Sequence, residues 1–308
     1  MNRPWYALLV VLFWLVTTGW LFVAKILPTL IPGAPPGYQA LYTADGRLVP
    51  VAWTVILDDE PIGWSISQSQ RLAEGGMRVE SLLHFDRLPL GELLPAWTRL
   101  LVRQTIPEST VLAIEGVGRM EIDGDGKLTA FTSSIDLPGS DDHILLTGTV
   151  DNGNVTIVIR SGEMRFETKR FLPESMTLGD ELAPQATLPG LIPGRRWTVP
   201  VYSPLRPAQS PIEILHAEVG GSETIVWEDR LVTVDAVTYR DDPSSHREPR
   251  ARLLVDRAGR VLRQEATTMG RRLAFVRRSD EDAEQLAGRL AERAAAAEQP
   301  SVDLGEER

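Results

Sequence analysis

Through most of the chain, apolar and polar residues alternate with a period of two, in short runs broken by turn-forming residues. That is the pattern of strands with one face buried. In residues 51–68, Val51, Trp53, Val55 and Leu57 share one face, and Ile62, Trp64 and Ile66 share one face beyond an acidic break. If Asp58-Asp59-Glu60-Pro61 forms a four-residue loop, Leu57 pairs with Ile62, Val55 with Trp64 and Trp53 with Ile66. Both tryptophans then lie on one side of the sheet. Three further stretches, residues 119–131, 149–160 and 253–265, read as strand, turn and strand, with an Asp opening each turn and a Gly inside it. Residues 218–240 add another pair. Short strands joined by hairpins predict an antiparallel sheet, with on the order of a dozen strands.

The departures from this alternation mark the other parts. Residues 90–104 place Leu93, Leu94, Trp97, Leu100 and Leu101 on one helical stripe, which predicts a single helix covering the sheet. Prolines at 184, 189, 193, 200, 204, 207 and 211 exclude a helix and a central strand over 179–211. That region reads as a crossing between two halves of the sheet, with a short edge piece over Arg196 to Val201. Ser279 followed by Asp280, Glu281 and Asp282 predicts a capped C-terminal helix that runs to about Glu298. At the other end, Trp5 to Ala24 is 20 residues without a charge. As a helix it rises about 30 Å, enough to span a bilayer, with Trp5, Tyr6 and Trp20 as interfacial anchors. A cleaved signal peptide needs a shorter apolar core and a small-residue cleavage site, which "FVAKILP" lacks. The predicted organisation is a transmembrane anchor over 1–27, a proline-rich spacer over 28–40, a β domain over 41–278 and an acidic helix with a disordered tail over 279–308. The slight excess of positive charge before the anchor places the N-terminus in the cytoplasm and the β domain outside it.

Composition narrows the function. The net charge is -10, and no basic stripe exists to hold a nucleic acid. Residues 280–308 carry nine acids and three arginines, so the acidity is concentrated in the tail, which reads as a solvated segment. With no cysteine there is no disulfide, thiolate metal site or thiol nucleophile. "DGDGK" from Asp123 has Leu128 at the sixth position and Ser134 at the twelfth, which fails as a calcium loop and reads as a hairpin turn. His84, His143, His216 and His246 form no close-spaced metal pair. No nucleophile elbow, phosphate loop or dinucleotide fingerprint occurs. The expectation is a protein without catalytic residues, cofactor or metal.

"AWTVILDDEPIGW", "LIPGRRWTVPV" and "ARLLVDRAGRVLRQEATTMGRRLAFVR" together resemble uncharacterised bacterial envelope β-proteins, whose domain also accompanies some transglutaminase-like proteins. The resemblance runs from about Ala52 to Arg278. It implies a mainly β fold: a large curved antiparallel sheet similar to the half-barrel of periplasmic lipoprotein carriers, with one covering helix. It implies no catalytic residue, and the transglutaminase cysteine is absent. Two functions follow as expectations. One is a membrane-anchored, extracytoplasmic, non-catalytic interaction or scaffold protein with an envelope protein as partner. The other is a half-barrel that binds an apolar ligand or lipid in a cavity lined by Trp53, Val55, Trp64, Ile66 and Trp97.

Overall fold

The computed structural model describes residues 13–14, 17–18, 49–72, 75–125, 127–136, 143–171, 184–202, 212–245, 247–268 and 270–298, except 90–110. Fourteen strands form one antiparallel sheet: β1 (Val51–Leu57), β2 (Glu60–Arg71), β3 (Met77–Pro89), β4 (Val111–Ile122), β5 (Leu128–Asp136), β6 (His143–Asp151), β7 (Asn154–Ser161), β8 (Met164–Phe171), β9 (Arg196–Tyr202), β10 (Ile212–Trp227), β11 (Arg230–Arg240), β12 (Ala251–Asp256), β13 (Val261–Thr268) and β14 (Arg271–Arg277). One helix, α1 (Asp280–Glu298), follows. The spatial order is β8-β7-β6-β5-β4-β3-β2-β1-β14-β13-β12-β11-β10-β9. Two meanders, β1–β8 and β9–β14, are thus joined along a single seam where β1 pairs with β14.

The expected hairpins form where their turn residues place them. Asp123 Oδ1 accepts from the backbone N–H of Asp125 and Lys127 at 2.9 and 2.8 Å, which closes the β4–β5 turn. Asp256 Oδ1 does the same for Ala258 and Arg260 between β12 and β13. Asn152 and Gly153 both take positive φ between β6 and β7, as a two-residue hairpin requires.

The opening hairpin differs from its expected register. Its loop is two residues, Asp58 and Asp59, with φ of 47° and 73°. Val55 pairs with Gly63, Thr54 with Trp64, Trp53 with Ser65 and Ala52 with Ile66. The register shifts between Val55 and Ile56, where Ile62 forms a bulge. A one-residue displacement moves side chains to the other face. Trp53 and Val55 therefore lie on one face, and Trp64 and Ile66 lie on the opposite one. Gly63 is what allows the bulge, because a Cβ there would stand 2.0 Å from the His84 carbonyl oxygen.

Each face has its own cover. The inner face carries the main core: Trp53, Val55, Trp197, Val219, Val237, Val255 and Phe275, all buried. Residues 184–195 cross this face as a strap. Leu188 N–H donates to the Gly259 carbonyl, Val261 N–H to Ala186, and Gly194 N–H to Val219, which ties the strap to β13 and β10. Leu188 fills the core beneath it. The expected edge piece is β9, the terminal strand of the sheet. On the outer face α1 packs over Ala52, Ile66 and Leu82 through Ala283 and Leu290, with Trp64 and Val117 beside them. Ser279 Oγ accepts from the Asp282 N–H at 3.0 Å and caps it. The acidic segment expected to be solvated is in its first part a packed helix. Its apolar positions recur at helical spacing, and its acids face water.

The residues 90–104, with Trp97, and nearly all of Trp5–Leu27 lie outside the described residues. Among the described residues, no helix is long and apolar enough to cross a membrane.

The seam has an electrostatic clasp. Asp58 accepts from the Arg272 backbone N–H at 2.8 Å and from Arg271 Nε at 2.6 Å. Asp59 accepts from Arg272 Nη2 at 2.5 Å. The Arg272 amide first, and then Arg271, holds the Asp58 carboxyl below its ordinary value of 3.8. A carboxyl depressed in the folded state contributes stability that is present above the unfolded value and lost as pH falls through the folded one. Asp58→Asn is expected to lower the denaturation midpoint at neutral pH and to flatten its decline below about pH 4, as measured in urea at a series of pH values. The two tryptophans separate in the same assay. Trp53→Ala is expected to cost about 3–5 kcal/mol through a buried cavity, and Trp64→Ala about 1–2 kcal/mol, because Trp64 is only half buried beneath the helix. Equal losses would overturn the two-face assignment.

Candidate functional site

The register assigns every residue of β2–β8 to a face, and the two faces have opposite chemistry. On the inner face stand Met77, Val79, Ser81, Leu83 and Phe85 of β3, then Ile114, Gly116, Gly118, Met120 and Ile122 of β4. Phe131, Ser133 and Ile135 of β5 continue it, followed by Ile144, Leu146, Gly148 and Val150 of β6. Val155, Ile157, Ile159 and Ser161 of β7 complete it. None of these residues of β3–β7 is charged; at the end of β2, Arg71 falls on the same face as the partner of Met77. On the outer face Arg78 pairs with Glu121 at 2.8 Å and Arg119 with Glu80 at 2.8 Å, amid threonines and further charges. The sheet here is amphipathic, as a half-covered antiparallel sheet should be.

Unlike the core under the strap, this inner face is not sealed. Val79, Met120, Phe131, Leu146 and Ile157 are half buried. Toward the edge, Ile159 is 36% exposed, Phe166 60% and Met164 73%. Bulk is unevenly distributed across it. Ser67, Ser81, Gly118 and Ser133 are consecutive partners across β2, β3, β4 and β5, so they form one row of small residues. The neighbouring row on one side holds Val79, Met120 and Phe131, and on the other Ser65, Leu83, Gly116 and Ile135, with the Ser81 hydroxyl lying over Gly118. A shallow trough results, about 14 Å long from three inter-strand spacings of about 4.8 Å. The gap at Gly148 is filled: a Cβ there would fall 2.1 Å from the Phe131 ring, so the ring lies across the glycine.

One end of the trough meets buried polar atoms. Arg277 of β14 pairs with Trp53 of β1, and Trp53 pairs with Ser65 of β2. The three share one cross-strand row on the inner face, and Ser65 is two residues from Ser67. Their exposures are 7%, 0% and 6%. Arg277 Nε, Trp53 Nε1 and Ser65 Oγ each lack a hydrogen-bond partner. Among the described residues the others of this kind are Thr187 Oγ1 in the strap and Glu115 Oε1. The latter lies 2.5 Å from Arg293 Nε and is compensated by that charge. The rest of the Arg277 guanidinium is engaged: Nη1 donates to the Ala186 carbonyl at 3.1 Å, and Nη2 lies 3.7 Å from Asp280 Oδ1. Desolvation by burial pulls its pKa below the ordinary arginine value. Beside it, Asp256 is neutralised by Arg260 at 2.8 Å, and Arg260 lies over the Trp227 ring.

Of the residues the sequence proposed as one cavity lining, Trp53 and Val55 belong to the inner core, and Trp64 and Ile66 to the outer face beneath α1. Trp97 is outside the described residues. Trp64 stacks on His84 with centroids 5.3 Å apart, and His84 Nδ1 lies 3.1 Å from Glu115 Oε2. Sequence reasoning did not select Ser65, Arg277 or the small-residue row. The alternation in "SISQSQ" and "GVG" carries the signal for the row, but it becomes legible only once the register is known. Among the described residues, no group of three or more His, Asp or Glu side chains is placed to hold a metal.

No protein-family model matches the chain, and no curated protein shows a significant match. Two solved bacterial structures are similar in outline. One is a β-barrel-like protein of the DUF1849 domain of unknown function from Brucella abortus. It is 13% identical with a TM-score of 0.42, over 76% of this chain and 97% of that one. The other is a DUF1089 family protein from Pseudomonas aeruginosa, 16% identical with a TM-score of 0.30, over 64% of this chain and 87% of that one.

Removing an unpartnered buried hydroxyl removes a desolvated group without breaking a bond. Ser65→Ala is therefore expected to leave stability unchanged or raise it by up to about 1 kcal/mol in urea denaturation. A loss above that size would show that Ser65 Oγ is bonded within the protein.

Proposed function

We propose that this chain is a membrane-tethered, extracytoplasmic β module that binds an apolar ligand on the inner face of β2–β8. The observation that carries the reading is the contrast between the two faces of that part of the sheet. Over β3–β7 one is uncharged and half buried to exposed, while the other is laced with ion pairs. Exposed apolar surface of this extent is costly in water, and where it persists on one face it marks a binding surface. The uncharged run from Trp5 to Ala24 supports the tether and the slight charge bias supports the orientation. A curled sheet suits the role, since an open sheet of fourteen strands rarely stays flat. Such a half-barrel is the architecture that the likeness to periplasmic lipoprotein carriers implies. The scaffold reading rests on a solid core, and that description fits β9–β14 with the strap, where the large side chains are sealed. It does not account for the half-buried to exposed apolar face of the other half.

The test is photo-crosslinking in the host cell with the full-length chain. Benzoylphenylalanine in place of Ile157, on the inner face, is expected to yield a covalent adduct with a lipid-sized apolar molecule, seen by intact-mass measurement. The same residue in place of Thr156, on the outer face, is expected to yield none. Equal labelling at both positions, or none at either, would refute the binding reading.

A further inference from the structure

We infer that the ligand is a single unbranched fatty acid, with its carboxylate at the Arg277–Trp53–Ser65 row and its hydrocarbon chain along Ser67, Ser81, Gly118 and Ser133. This rests on the apolar-binding reading above and specifies its occupant. Two independent features converge on it. The first is the trough, a row of small residues bounded by Val79, Met120 and Phe131 on one side and by Leu83 and Ile135 on the other, with Gly116 between the latter two. So shallow a relief suits one slender chain better than a ring system or a paired diacyl lipid. The second is the row of three buried donors at one end of it, each with an atom that finds no partner. Leaving such donors desolvated is costly, and one compact acceptor with two oxygens relieves several at once.

The chemistry of the donors selects the head group. Arg277 Nε is a charged donor, and charge-assisted bonds to a carboxylate are about twice as strong as neutral ones. Trp53 Nε1 offers only a donor, so the head must accept. The charged groups around Arg277 are Asp280 on α1, with Asp256 and Arg260 at the β12–β13 turn. Asp256 is taken by Arg260, and Asp280 is half exposed and beyond hydrogen-bond distance of Arg277. None of them supplies a carboxylate to Nε. An ammonium head would meet the Arg277 cation and the Trp53 N–H, with the Ser65 hydroxyl as the one acceptor on this row. The walls of the trough carry no charge, which suits a methylene chain.

Full-length protein in native membranes is exposed to three photoreactive probes bearing a diazirine: palmitic acid, hexadecylamine and a diacyl phosphatidylcholine. Palmitic acid is expected to label the chain at least tenfold more than the other two. Ser133→Leu, which fills the trough, and Ser65→Ala, which removes one head-group donor, are each expected to reduce that labelling several-fold. Their melting temperatures check that both variants are folded. Equal labelling by the acid and the amine, or undiminished labelling of Ser133→Leu, would overturn the fatty-acid assignment and leave the apolar site standing. Labelling by phosphatidylcholine in preference to palmitic acid would do the same. Failure of every probe to label the inner face would remove the apolar-binding reading as well.

Discussion

The β1–β14 pairing is the constraint on which the architecture depends. All other neighbouring strands in the sheet are successive in sequence, so each hairpin arises from its own turn. The seam alone joins chain segments more than two hundred residues apart, and it makes one sheet of two meanders. Its register runs from Trp53 opposite Arg277 to Leu57 opposite Leu273, so it aligns Phe275 with Val55 at the centre of the inner core. The same register brings Arg277 beside Trp53. Without the seam, the strap would lose its Arg277 contact and α1 would lose the strands beneath it.

The two faces of the sheet then divide the work. Under the strap, large side chains fill the inner face and no charge reaches it except at the rim, where Asp256, Arg260, Asp280 and Arg277 balance one another. Beyond β2, among the described residues, the strap no longer covers that face, and a row of small residues runs between larger ones. Burial of apolar area stabilises the first region, while the second keeps apolar area open at some cost to stability. The outer face has the reverse character: helix α1 covers β1–β4 locally, and ion pairs solvate the remainder.

Much of this was legible in the alternation of residues. The hairpins at Asp123, Asn152 and Asp256, the edge strand at Arg196 and the capped helix at Ser279 all follow from local signals, because each depends on residues a few positions apart. The opening hairpin was misread for a local reason too. A Pro61–Ile62–Gly63 bulge shortens the loop by two residues, and alternation alone does not distinguish a longer loop from a tight turn with a bulge. What sequence could not reveal is of longer range. Arg277 looks like one more basic residue at the end of a strand until the seam sets it beside Trp53. The row from Ser67 to Ser133 consists of single small residues drawn from four strands, and only the register lines them up. The acid pair Asp58-Asp59 likewise stood as ordinary turn residues, whereas the fold uses it to hold Arg271 and Arg272.

The position of α1 has a consequence for synthesis. The helix follows every strand in the chain, so it is made after all of them. Until it emerges, Ala52, Ile66 and Leu82 form an uncovered apolar strip on the otherwise polar outer face. The nascent sheet therefore passes through an interval in which it is sticky on both sides. The cross-strand pairs Arg78–Glu121 and Arg119–Glu80 flank that strip, and they are complete as soon as β4 has been made. Charge beside an exposed apolar strip discourages pairing with a second chain.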